Sequence, residues 1–292
     1  MNKPMNFRTI DAPICKLGEG PTFDPHSQTA WWFDILQQKL FEYRLADEKL
    51  TQHDLPFTAS ALARIDAERQ LLHTDTGLYI RNINTGELSF HLALEADRPD
   101  LRCNDARVHP SGAFWLGTMG WNAETGAGSI YHYRAGELRR LYEDISISNA
   151  ICFSPDGATA YYADTGRGKV MRVAVDPQNG LPTAEPELFL NEFPAGAGPD
   201  GAVIDDEGNI WIALWGGSQV AGYTPRGEAL NSIPLPASQP SCPAFIGPDA
   251  RQMLVTSAAV DVDKSDQKDQ SGKIFIVDLP FKGRFDPDVL IG

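Results

Sequence analysis

Four positions in this 292-residue chain combine oxygen-bearing side chains with neighbours that ordinary strands avoid. Glu19 lies in Gly18-Glu19-Gly20-Pro21 and Asn104 in Arg102-Cys103-Asn104-Asp105, while Asn149 lies in Ser148-Asn149-Ala150 and Asp200 in Pro199-Asp200-Gly201. Each stands four residues before an apolar residue that opens a turn: Phe23, Val108, Phe153 and Ile204. The same step back from two further apolar positions, Ile65 and Ile246, reaches Ala61 and Cys242. Two carboxylates and two amides brought together are costly to bury dry and unpaired. Asp, Glu and Asn oxygens suit a hard divalent cation such as Ca²⁺, Mg²⁺ or Mn²⁺. A hydrogen-bonded, water-filled channel without metal is the other way to satisfy them.

What would place the six positions at one level is a repeat. An apolar residue, a turn rich in Pro, Asp and Gly, and an aromatic-rich strand recur along the chain. Examples are Phe23-Asp24-Pro25 before Trp31-Trp32-Phe33-Asp34, and Phe153-Ser154-Pro155-Asp156-Gly157 before Tyr161-Tyr162-Ala163-Asp164. The apolar anchors are separated by 42, 43, 45, 51 and 42 residues. A third strand follows in each unit, as in Leu40-Phe41-Glu42-Tyr43 or Ile274-Phe275-Ile276-Val277, and turn dipeptides such as Thr85-Gly86 lead towards a fourth. Four strands per unit, repeated radially, predict an all-β, six-bladed β-propeller spanning residues 1–292 as one domain. A β-sandwich would leave so regular a period unexplained. Only residues 279–292 follow the last third strand, so segment 5–14 is predicted to complete the last blade and remove an exposed edge. The innermost strands line the channel, which puts Glu19, Asn104, Asn149 and Asp200 around its axis.

Composition narrows the partners. With 39 acidic against 25 basic residues the formal net charge is −14, a field that repels nucleic acid and anionic bilayers. No apolar run approaches the ~18 residues of a membrane span, and no secretory leader is visible. Cys15, Cys103, Cys152 and Cys242 are scattered singly, which predicts free thiols and a cytoplasmic location. Serine-hydrolase, zincin, P-loop and dinucleotide motifs are missing from the sequence. The run Asp261-Val262-Asp263-Lys264-Ser265-Asp266 fails as an EF-hand, because Asp266 stands at the obligatory glycine, and is expected to be a solvated loop near a channel mouth. Trp31, Trp32, Trp115 and Trp211 are expected to pack blades, and Trp121 and Trp215 to sit at the mouth. The six histidines show no paired, ligand-like spacing.

Gly18-Glu19-Gly20-Pro21, Arg102-x-Asn104-Asp105, Gly117-Thr118-Met119, Ser148-Asn149 and Pro199-Asp200-Gly201, in this order and with the late Ser241-Cys242, resemble the regucalcin/gluconolactonase family. The resemblance implies a six-bladed propeller with one divalent cation (Ca, Zn, Mg or Mn) and hydrolysis of a sugar lactone, an aldono- or aldarolactone. Carried over, Glu19, Asn149 and Asp200 are the metal ligands, Arg102 and Asn104 meet substrate, and Asp200 is the general base. Asn122 falls where the mammalian branch has an acidic substrate-binding residue, which bears on the choice of sugar. The alternative is a non-catalytic calcium-binding or protein-interaction propeller, since Trp31-Trp32-Phe33-Asp34 is similar to the repeats of extracellular ligand-binding propellers.

Overall fold

A computed structural model describes residues 6–262 and 268–292. Six four-stranded antiparallel sheets follow one another along the chain. The innermost strands are Gly18–Asp24, Ala59–Arg64, Leu101–Val108, Ser148–Phe153, Gly198–Ile204 and Pro240–Ile246. Five blades are built from consecutive strands. The sixth takes its outer strand from the start of the chain, with Phe7 opposite Val277 and Thr9 opposite Phe275. The predicted six-bladed propeller and its closure are therefore observed. Among the described residues the one helical element is a single 3₁₀ turn, Thr165–Arg167. No described helix is long and apolar enough to cross a membrane.

Apolar clusters between adjacent blades hold the ring. Trp32 stacks on Phe41 at 5.4 Å and packs against Leu254 and Ile276 of the sixth blade. Trp115 meets Phe153 edge-on at 5.4 Å across the third and fourth. Burying one such ring, with ~150–250 Å² of surface, contributes on the order of 4–6 kcal/mol before entropy is counted. Trp31, Trp32, Trp115 and Trp211 are all buried, as their place in the repeat predicts. All four cysteines are buried and free.

The inner strands share a second feature that positions the site. In every blade the pairing of first and second strand slips at the same place: between Glu19 and Thr22, Ala59 and Ala61, Cys103 and Ala106, Asn149 and Cys152, Pro199 and Ala202, and Pro240 and Pro243. A bulge leaves a residue unpaired and re-aims its neighbours. Here it falls at the level of the oxygen-bearing residues in all six sheets.

Candidate functional site

The bulges set the backbone around three of these residues. After Glu19 the chain turns left-handed at Gly20 (φ 55°), where a Cβ would lie 1.9 Å from the Ser60 carbonyl oxygen. Only glycine satisfies both constraints. Ala150, at the equivalent place after Asn149, holds the same conformation (φ 50°) despite its methyl group, a local strain the fold must support. After Asp200, a Cβ on Gly201 would meet Cys242 Sγ at 2.3 Å, so glycine lets the fifth and sixth inner strands close up.

Two aspartates fix the entrance to the strands of Glu19 and Asn149. Asp34 accepts from the backbone N–H of Lys16 (2.7 Å) and Leu17 (3.2 Å), just ahead of Glu19. Asp164 does the same for Ser146 (3.0 Å) and Ile147 (3.2 Å), just ahead of Asn149. Both end the second strand of their blade.

Glu19, Arg102, Asn104, Asn122, Asn149 and Asp200, the six residues singled out from sequence, all line one cavity of about 480 Å³ at a mouth of the channel. Its floor is polar and buried: Glu19, Asn149 and Asp200 are 8%, 4% and 4% exposed. Its wall is largely apolar, with Leu36, Met119, Trp121, Ile147, Trp215 and Val260. Trp121 and Trp215 are thus at the mouth, as expected. Val260 and Asp261 bring the start of the acidic loop to the rim, and positions 263–266 of that run lie outside the described residues.

Hydrogen bonds link the floor. Arg102 Nη1 donates to Asn104 Oδ1 at 2.7 Å and to the Cys103 carbonyl at 2.9 Å. Asn104 Nδ2 donates to Asn149 Oδ1 (2.8 Å) and to the Ser148 carbonyl (2.7 Å). Asn149 Nδ2 donates to Thr165 Oγ1 at 2.8 Å. Asn122 differs from the others: it is exposed at the rim, and its Nδ2 donates to Glu124 Oε1 at 2.8 Å.

Electrostatics separate this floor from ordinary protein interior. Burial raises the Glu19 carboxyl above the usual range, and the Asp105 charge adds to the effect. Burial likewise raises Asp200, with the Glu19 charge next in weight. Asp105, beside Asn104, is pushed up to about 6 by burial while Arg107 opposes the shift; its Oδ2 accepts from the Ile151 N–H at 2.8 Å. Arg107 is bound at 2.8 Å to Asp286 on the far side of the channel. Glu19, Asp105, Asp200 and Asp286 thus stand against Arg102 and Arg107, an excess of two negative charges when all are ionised. The residues present fit a divalent cation on that count. Among the described residues no three His, Cys, Asp or Glu side chains converge as a metal site, and the amide of Asn149 lines the same cavity as Glu19 and Asp200. An all-oxygen, partly neutral donor set of this kind matches hard cations rather than thiophilic ones.

Asp34, Asp105, Asp164 and Thr165 were not singled out from sequence as parts of the site. The recurrence of aspartate at or just after the end of the second strand (Asp34, Asp75, Asp164) was the available signal for two of them.

Fold and site together define a six-bladed propeller with an oxygen-rich, carboxylate-excess cavity at one mouth of its channel. The chain belongs to the SMP-30/gluconolactonase/LRE-like family, whose signature matches residues 17–259. A solved structure described as the calcium-binding protein regucalcin from Agrobacterium tumefaciens is 49% identical, covers 97% of both chains and superposes with a TM-score of 0.95. A Rhizobium meliloti protein with a provisional sugar lactone lactonase name is 46% identical over 286 residues, 97% of each chain. The L-arabinolactonase of Azospirillum brasilense is 31% identical over 274 residues, 91% of this chain and 90% of its own.

Proposed function

We propose that the protein is a divalent-cation-dependent hydrolase that opens a sugar lactone to the free sugar acid, working in a reducing, cytoplasmic setting. The observation that carries this reading is the buried excess of carboxylate at the floor of a cavity that opens to solvent. The lactonase names among close relatives supply the substrate class.

Glu19, Asn149 and Asp200 would hold the cation through oxygen atoms, and Zn²⁺, Ca²⁺, Mg²⁺ and Mn²⁺ are the candidates. When bound, it supplies Lewis-acid polarisation of the lactone carbonyl and stabilises the charge that develops on its oxygen. The chain's own groups do the rest. Asp200, buried at the floor of the cavity, takes a proton from the attacking water as the water oxygen bonds to the carbonyl carbon. As the ring C–O bond breaks, Asp200 returns that proton to the leaving alkoxide, which becomes a hydroxyl. Arg102, anchored through Nη1, presents the rest of its planar fork to substrate oxygens. Asn104 holds Arg102 and Asn149 in register, and Asn122 offers a rim contact.

Acid release from a panel of aldono- and aldarolactones, before and after chelation, tests the reading. Turnover should vanish with chelator and return, to different extents, with each added cation. Full activity without metal would refute the cation's role. Calcium binding with no turnover on any lactone would favour the second reading, a calcium-binding propeller, which the description of the Agrobacterium protein supports.

A further inference from the structure

A primary amide has two unlike ends: Oδ1 can face a cation, and Nδ2 cannot. The site therefore needs something to decide how Asn149 points. The hydrogen-bond chain across the floor does so, because both of its termini are polar in one sense only. Arg102 can only donate, so Asn104 must turn Oδ1 towards it and Nδ2 towards Asn149. At the other end the Pro199 carbonyl can only accept, and it takes the hydroxyl proton of Thr165. With its proton committed, Thr165 Oγ1 can only accept, and it selects the N–H end of Asn149 at 2.8 Å.

Thr165, half-buried at the cavity wall, is itself held in place. It opens the 3₁₀ turn Thr165–Arg167, and its N–H donates to the Ile147 carbonyl at 3.0 Å. Its methyl group sits against Gly198, where an added Cβ would approach Cγ2 to 2.9 Å. The hydroxyl thus bridges the blade that carries Asn149 and the residue immediately before Asp200.

We propose that Thr165 is a positioning residue of this site: its hydroxyl orients the Asn149 amide oxygen towards the cavity and ties it to the strand of Asp200. The inference rests on the divalent-cation reading above and adds the residue that makes Asn149 a ligand by its oxygen. Without the hydroxyl, the amide loses the acceptor for its N–H end and its orientation is held by Asn104 Nδ2 alone.

The test compares two substitutions that divide the side chain, Thr165→Ser, which keeps the hydroxyl, and Thr165→Val, which keeps the shape. Binding of Mn²⁺ and Ca²⁺ to the full chain is measured by titration calorimetry, alongside kcat and KM at saturating cation. Thr165→Ser should stay within about threefold of wild type, and Thr165→Val should bind cation ~10–100-fold more weakly, the usual cost of losing a ligand's orienting partner. An Asn149→Asp background sharpens the result. A carboxylate has oxygen at both ends and needs no orientation, so there Thr165→Val should cost less than about threefold.

Wild-type affinity in Thr165→Val would overturn the inference. So would equal losses in the Ser and Val variants, or a Val penalty that persists in the Asn149→Asp background, since either would mean packing rather than orientation. If Thr165→Val does not fold, Gly198→Ala displaces the same threonine from the opposite side, and unchanged cation affinity there would overturn the inference. A wild-type chain that binds no divalent cation would overturn the functional reading as well, whereas a cation-binding wild type with an indifferent Val variant overturns this inference alone.

Discussion

The two ends of the channel solve opposite problems with similar residues. At the closed end, segment 279–292 runs beneath the ring and buried charge finds a partner. Arg107 pairs with Asp286, and Arg64 with Asp288. Aromatics add to this, with Phe281 stacked on Trp211 at 4.4 Å and Phe285 against Phe23 at 5.5 Å. At the open end, Glu19 and Asp105 both act by their charge on Asp200, and Arg102 and Arg107 only partly offset the three carboxylates. One end pairs its arginines with carboxylates of the chain, although Arg64 Nε and Arg107 Nε have no hydrogen-bond partner. The other hydrogen-bonds its amides but keeps an excess of negative charge facing the cavity, and that imbalance is what makes it a site.

If this contrast is right, substitutions at the two ends should separate activity from stability. The largest effect is expected from Asp200→Asn, which keeps an oxygen at the floor but removes the proposed proton acceptor. Steady-state kinetics at saturating cation should show kcat down by ~10²–10⁴-fold. Because the change also removes one of three repelling buried carboxylates, the cation-free variant should melt higher than cation-free wild type, by ~2–4 °C for about 1 kcal/mol. A lower Tm in that comparison would break the contrast.

Acid sensitivity should come from neither end. His73, fully buried in the second strand of the second blade, has its ionisation pushed down to about 3 by burial. The unfolded chain takes up this proton near pH 6.5, whereas the native protein does not until about pH 3. Stability therefore falls as pH drops through that window, by about 1.4 kcal/mol per unit. His73→Leu should recover ~2–3 kcal/mol at pH 4.5 relative to its effect at pH 7.5, measured by urea denaturation at both values.

Asp286→Ala reverses the first experiment. It leaves Arg107 buried without its main partner, so the Tm should drop for a loss of ~2 kcal/mol. That is less than the ~3–5 of a fully dry pair, because Asp286 is still partly solvated. Turnover per folded molecule should change by less than about twofold. A large kcat loss would mean the two ends are coupled. The smallest effect is expected at the rim: Asn122→Ala removes an exposed hydrogen bond to Glu124, worth about 0.5–1 kcal/mol at most, so KM should move by less than about fivefold. A larger change would make Asn122 a true specificity contact.

The open end was more legible in the sequence than the closed one, for a physical reason. Glu19, Asn104, Asn149 and Asp200 occupy equivalent positions of a repeat, so each blade serves as a ruler for the others. Segment 279–292 repeats nothing, and its partners, such as Arg64, Arg107 and Gly112, are distant in sequence. The bulges were also hidden, because a one-residue slip alters hydrogen bonding without altering composition. Asp34 and Asp164 looked like strand ends among packing aromatics. Only the backbone N–H groups they accept from reveal them as the supports of Glu19 and Asn149.

The strap at the closed end also bears on how the ring comes apart. It meets the sixth blade through the Leu279 N–H to Arg251, the fifth through the Asp206 N–H to Lys282, and the fourth through Arg284 to the Phe153 carbonyl. It then reaches the third at Arg107 and Gly112, the second at Arg64, and the first at Phe23. A row of stacked repeats can fray from its ends, since each unit touches only its neighbours. Here every blade shares one tether, and the last sheet is completed by a strand from the start of the chain. Loosening any one blade strips contacts from a segment that all the others use, so thermal unfolding should pass through a single cooperative transition rather than blade by blade.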